Sequence, residues 1–196
     1  MRGRGIDYFE NSRRATYAQR AYVVANPMGW WGYCENVWGL TACDGPADVT
    51  MPVGGVQRTF HTYNARGVAV GDVRDDGTIA PTAALASLPF APEIVLPALA
   101  ELRRRYGEHL YSTYGFRDAF NPSFTFADAA IERGTVDPEL GWFDSDYLGI
   151  DQGPILAMVE NHRSGLVWAT MRKNPYLVAG LRRANFTGGW LDKAPR

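Results

Sequence analysis

Cysteine is scarce in this chain, with two residues, Cys34 and Cys43, among 196. No further Cys or His stands at the spacing a zinc site needs, and buried free thiols fit the pair better than a disulfide. The three histidines give no metal cluster either: His109 and His162 lack partners in spacing and suit packing roles, and His61 beside Tyr63 is uninformative. No stretch approaches the roughly 18 apolar residues that cross a bilayer. The start, Met1-Arg2-Gly3-Arg4-Gly5-Ile6-Asp7, lacks the apolar segment of a secretory signal. As written, the chain is expected to stay in the cytoplasm. An excess of one charge sign is missing too: the formal net charge is -1 and the pI about 6.3. That balance offers no field to hold nucleic acid or an anionic membrane, and Arg103-Arg104-Arg105 reads as a solvated helix end. Nothing in the residues calls for a cofactor or a metal.

What is present is the composition of a soluble globular protein, 46% hydrophobic and 21% charged, long enough for a single domain over residues 1–196 with a sizeable core. Aromatic residues make up 13%. Many of them, including Trp30, Trp31, Trp38, Phe116, Phe120, Trp142 and Tyr147, stand beside Gly, Pro, Asn or Asp rather than on periodic stripes. Rings placed this way serve as walls of a site or as plugs that fix loops to the core.

The apolar spacing predicts helices joined by long loops. A helix is expected over residues 7–25, ending where Asn26-Pro27 excludes it. Residues 51–80, with partial alternation and the turn signal Asp75-Asp76-Gly77, fit a short hairpin or an irregular excursion, and strand content is expected to be minor. Pro81 opens a short helix to Leu88. A longer one follows from Glu93 to about Tyr106, with Ile94, Leu96, Leu99 and Leu102 as its stripe and Gly107 at its end. Residues 107–150 read as loop, a length that in a compact domain is usually functional. A further helix starts at Asp151, a candidate N-cap ahead of Pro154, and helical signals continue with a break at Asn174-Pro175.

Chemistry is concentrated in the stretch from Gly32 to Pro46, where Glu35 and Asp44 lie among aromatics and turn formers with no helical or strand period. Rings with adjacent carboxylates suit a sugar, whose C–H faces stack while its hydroxyls hydrogen-bond. Glu35 is the candidate for proton transfer, because Trp38 and Tyr33 beside it could desolvate it and raise its pKa; substrate hydrogen bonding or a structural network are its other roles. Asp44 fits an Asx turn or a sugar contact. Asp118 and Asn121 flank Phe120 in a loop where a pyranose could both stack and hydrogen-bond. Asp151 fits an N-cap, a ligand contact or both. Trp31, Trp38, Asp44, Asp118, Phe120, Asn121, Asp151 and Gln152 form the candidate substrate-binding set. Glu160 and Arg163, at i and i+3, read as an ion pair.

Five ordered segments carry a resemblance: Gly5 to Ala15, Glu35 to Ala42, Asp76 to Ala84, Tyr114 to Asn121 and Leu148 to Ile155, the last reading Leu148-Gly149-Ile150-Asp151-Gln152-Gly153-Pro154-Ile155. Together they resemble the glucoamylase-like family, which includes hydrolases of β-1,2-glucan and the glucan-processing domain of cyclic β-1,2-glucan synthases. The resemblance implies a mainly α fold with minor β, part of a six-hairpin α/α toroid whose loops line a sugar cleft. It covers only the C-terminal half of such a domain. It also implies hydrolysis or transglycosylation of β-linked glucose oligomers by a carboxylate acid/base pair, with an oligo- or polysaccharide of glucose as partner. A non-catalytic carbohydrate-binding remnant is the alternative, and a separate N-terminal half or self-association would cover the faces a half-domain exposes.

Overall fold

The computed structural model describes residues 1–194. Helix α1, Tyr8–Ala25, is set by Asp7, whose side chain accepts hydrogen bonds from the N–H groups of Phe9 (3.1 Å) and Glu10 (3.2 Å). It ends at Asn26 in the left-handed conformation, φ 44°, immediately before Pro27. Two of its aromatics fix it to later elements: the Tyr22 hydroxyl donates to Asp75 at 2.9 Å, and the Phe9 ring lies 5.4 Å from that of Phe90.

Helix α2, Pro81–Leu85, and helix α3, Pro92–Leu110, each begin on a proline, whose missing N–H costs nothing in a first turn. In α3 the buried residues Ile94, Val95, Ala98, Leu102, Tyr106 and Leu110 recur at helical spacing. Gly107, at φ 47°, interrupts the regular backbone before the last turn. Helices α4 (Gly149–Ser164), α5 (Leu166–Met171) and α6 (Pro175–Arg183) follow. Gly165 in the left-handed conformation separates α4 from α5. Asn174 caps α6 by accepting from the Tyr176 and Leu177 N–H groups.

The mainly α expectation is corrected here. The chain is 40% helical and 22% strand, and among the described residues the strands form six small antiparallel sheets, a mixed architecture in place of the mainly α half-toroid with minor β. The strands run two to five residues, too short for a period of two to declare itself in sequence. Val49–Val53 pairs with Val56–Phe60 around Gly54-Gly55, both at positive φ as a tight hairpin turn requires. Ala42–Asp44 pairs with Tyr63–Ala65, and Gly67–Ala69 with Asp72–Arg74. Within the stretch read as loop, Gly141–Phe143 pairs with both Phe120–Asn121 and Thr135–Asp137.

Two buried clusters hold these pieces. One gathers Val23 of α1, Leu102 and Tyr106 of α3, Leu85 of α2, the strand residues Phe116, Phe120 and Phe143, and Val37, Trp38 and Ile79 outside the strands. The other lies under the hairpins and contains Trp30, Cys43, Phe60, Ala119, Phe124 and Trp142. Both cysteines are free. The rings expected as possible site walls therefore divide: Trp30, Trp38, Phe116, Phe120 and Trp142 are buried core, and Trp31 is exposed. Loops this long need apolar anchors of their own, and these rings supply them. The buried pair Arg66–Asp76 fixes the hairpins to the core through two 2.7 Å contacts, and Arg66 also reaches the Cys43 carbonyl at 2.6 Å.

Candidate active site

Carboxylates from four separate segments meet beside the N-terminus of α4. Asp44 ends the strand Ala42–Asp44, and its N–H donates to Asp118 Oδ2 at 2.8 Å. Asp118 follows the pair Tyr111–Ser112 and Gly115–Phe116, and its own N–H donates to the Asp146 carbonyl at 3.0 Å. Asp144 follows the strand Gly141–Phe143, its N–H donating to the Ala119 carbonyl at 3.0 Å. Asp151 lies in the first turn of α4, where its N–H donates to the Leu148 carbonyl at 3.1 Å. The expected N-cap role of Asp151 is corrected: α4 begins two residues earlier, at Gly149, with Leu148 as its cap residue, and Pro154 lies inside the helix. The Asp151 carboxylate is thereby free to face other groups while still feeling the positive end of the helix.

The side chains of Asp118 and Asp151 interact with each other, and both residues are buried. Two carboxyls in such contact cannot both carry charge cheaply, so the pair retains a proton above the usual carboxylate range. Burial is the largest cause for each. The Asp44 N–H opposes it at Asp118, and the charge of Asp44 adds to it at Asp151. Burial also raises Asp144 to about 6, against the opposing Ser145 N–H. One oxygen of Asp144 and one of Asp151, Oδ2 in each case, are buried with no hydrogen-bond partner.

Asp151 lines a hollow of about 330 Å³ together with Thr41, Ala42, Thr82, Ala83, Ala86, Ser87 and Ile150. A larger hollow, about 380 Å³, is bordered by Trp30, Arg58, Asp75 and Asp76. Its acids are already committed: Asp75 accepts from the hydroxyls of Tyr22 and Tyr33, and Asp76 pairs with Arg66. Of these two hollows, the one lined by Asp151 is the one whose lining includes a carboxylate with an unpartnered buried oxygen.

The other candidates lie elsewhere. The Glu35 side chain is 73% exposed and 3.7 Å from Arg20, so the desolvating shell expected from Trp38 and Tyr33 does not enclose it. Trp38 and Phe120 are fully buried, Phe120 stacked on Phe143. Asn121 is fully buried and holds the Asp76 carbonyl and the Thr78 hydroxyl, each at 3.0 Å. Gln152 donates to the Phe116 carbonyl. The Trp31 side chain is exposed, and its backbone N–H donates to the Ser123 hydroxyl. Asp44 faces Arg133 at 3.2 Å. The structure thus brings Asp44, Asp118 and Asp151 together but does not bring Glu35, Trp38, Phe120 and Asp151 to one hollow. Sequence reasoning passed over Asp144, Asp146 and Arg133. The acids Asp144 and Asp146 follow the Trp142-Phe143 pair visibly enough, but no local signal links them to Asp44 so far back in the chain.

The chain belongs to the family described as "Putative glucoamylase", whose model matches residues 2–175. It is 31% identical over 177 residues to the exo β-1,2-glucooligosaccharide sophorohydrolase of Parabacteroides distasonis, a match covering 90% of this chain and 20% of that protein. It is similar in structure to a "putative glucoamylase" of Bacteroides uniformis, with TM-score 0.71 and 37% identity over 96% of this chain and 38% of that one. It is also similar to the endo-β-1,2-glucanase of Chitinophaga pinensis, solved with sophorotriose and glucose, with TM-score 0.74 and 31% identity over 95% of this chain and 37% of that one. The chain therefore spans between a fifth and about two fifths of the length of these relatives. Among the described residues no helix is long and apolar enough to cross a membrane.

Proposed function

We propose that this chain forms part of the sugar cleft of a glycoside hydrolase acting on β-1,2-linked glucans, with Asp151 facing the substrate and Asp118 behind it sharing its proton. One observation carries the reading: Asp151, whose buried Oδ2 has no hydrogen-bond partner, is among the residues lining a hollow whose rim includes Thr41, Thr82 and Ser87. Hydroxyl-bearing side chains suit sugar hydroxyls, and a carboxyl whose pKa is raised by burial suits protonation of a glycosidic oxygen. Hydrolysis requires a second carboxyl group across the bond, about 5 to 9.5 Å away depending on the stereochemical outcome. The similarity to β-1,2-glucan hydrolases supports the substrate class.

The shortness of the chain relative to those proteins favours a second reading, in which it binds glucan without cleaving it unless a further segment or a second copy completes the cleft. Incubation of the purified chain with linear β-1,2-glucan, scored by new reducing ends, and calorimetric titration with sophorotriose separate the two. Hydrolysis lowered about 10²–10⁴-fold by Asp151→Asn supports the first. Binding weakened by the same change, without hydrolysis, supports the second. Neither binding nor hydrolysis overturns both. Glu35→Gln, at an exposed position, is expected to leave the outcome unchanged in direction, and loss of hydrolysis in that variant would transfer the proton-transfer role to Glu35.

A further inference from the structure

Asp44, Asp144 and Asp146 each place a carboxylate oxygen within 4.8 Å of the others. Negative charge gathered this closely needs a cation, and the chain supplies one. Arg133 Nη1 lies 2.7 Å from Asp146 Oδ2 and 3.2 Å from Asp44 Oδ2, so a single nitrogen ties two distant segments. Both partners hold Asp118 through the main chain: the Asp44 N–H donates to the Asp118 carboxylate, and the Asp146 carbonyl accepts from the Asp118 N–H.

Arg133 is itself held firmly although its side chain is 39% exposed. Its carbonyl accepts from the indole N–H of the fully buried Trp142 at 2.8 Å. The next residue, Gly134, has φ +83°, and a Cβ there would lie 2.2 Å from the Phe143 carbonyl oxygen. The backbone bearing the guanidinium is thus clamped against the strand that leads to Asp144.

We infer that Arg133 is a positioning residue for the Asp118–Asp151 pair, fixing the two segments that grip Asp118 and supplying the positive charge that balances its acidic surroundings. This rests on the reading of that pair as the chemical centre. The groups facing Asp118 are Asp44 and Cys43 from the strand Ala42–Asp44, Asp144 and Asp146 from the segment after Phe143, and Asp151 from α4. Two other cations stand nearby and are already engaged: Arg117 donates to the Asp144 carbonyl, and Arg66 is bound to Asp76 and Cys43. Without Arg133 the charges of Asp44 and Asp146 act on the pair unopposed, which favours the protonated form.

The test is an NMR titration of the carboxyl carbons of Asp118 and Asp151 in the full chain. Arg133→Gln is expected to move the midpoint of the pair upward by about one pH unit. Arg133→Lys keeps the charge but loses the planar fork, and is expected to give a smaller upward shift. A role confined to holding the loop would leave the midpoint in place. An unmoved midpoint in either folded variant overturns the inference, and the lysine variant carries the test should the glutamine variant not fold. The titration reads the chain without substrate, so a failure of glucan hydrolysis leaves its result standing, and an unmoved midpoint leaves hydrolysis untouched.

Discussion

Asp144 is fully buried, keeps one oxygen on the Ser145 N–H at 2.7 Å, and leaves Oδ2 without a hydrogen bond. Burial lifts its pKa to about 6, above the value near 4 of an unfolded chain. A carboxyl raised on folding favours the native state while it is protonated, so its contribution is complete below about pH 4 and is lost as the pH rises through about 6. Asp118 and Asp151, raised mainly by burial, act in the same direction. Glu93 and Glu101, lowered to about 2 mainly by hydrogen bonds from Arg13 and Arg104, act oppositely, but only in strongly acid solution. Between pH 5.5 and 8 the melting temperature is therefore expected to fall. In Asp144→Asn, which removes one ionisation, the fall should be shallower and stability at pH 8 higher. Parallel melting curves for the two proteins across that range would show that Asp144 ionises without cost.

At the scale of elements, glycine positions separate what the fold needs from what it tolerates. Gly134 joins the Arg133 segment to the strand Thr135–Asp137, with positive φ and the Phe143 carbonyl against its Cα. Gly134→Ala is expected to cost about 1–3 kcal/mol for the backbone conformation alone, with the close approach adding to it. Gly153 is exposed inside α4, and nothing lies within 4 Å of a Cβ added there. Gly153→Ala is expected to stabilise by about 0.5–1 kcal/mol. Urea denaturation of both variants checks the pair, and midpoints shifting the same way would contradict this account. The same elements show what sequence could reveal. The helices were legible because apolar spacing and breaking residues mark them, as Asn26-Pro27 does for the end of α1 and Asn174-Pro175 for the start of α6. The strands after Phe116 were not, because a two-residue strand such as Phe120–Asn121 exists through partners remote in sequence, Trp142–Phe143 and Ile79. For the same reason Asp44, Asp118 and Asp151 could be singled out one by one, while their meeting depended on pairings remote in sequence. Trp38 and Phe120 looked like ligand-stacking rings because a loop sequence gives no sign that the loop carries its own core.

At the scale of the molecule, the last three helices are unevenly covered. Leu156 is 72% exposed and Tyr176 is 86% exposed, and Ile150, Leu166 and Met171 are exposed as well. α4 buries only Asp151 and Asn161, α5 buries nothing, and α6 buries only Val178. Single exposed apolar residues are ordinary, but apolar side chains on three successive helices exceed what a monomer leaves in water when they form one patch beyond a few hundred Å². These exposed apolar faces are expected to bind one another. Light scattering of the purified chain should therefore give a mass above 21.7 kDa that falls toward that value on dilution. The double change Leu156→Glu and Leu166→Glu, at exposed positions outside the carboxylate cluster, should return it to the monomer while preserving its far-ultraviolet circular dichroism. A concentrated solution that stays monomeric before any substitution would show that these side chains are too scattered to form a patch. The chain would then need no partner to cover α4 to α6, and glucan binding or hydrolysis by the isolated protein would have to be judged without appeal to a missing surface.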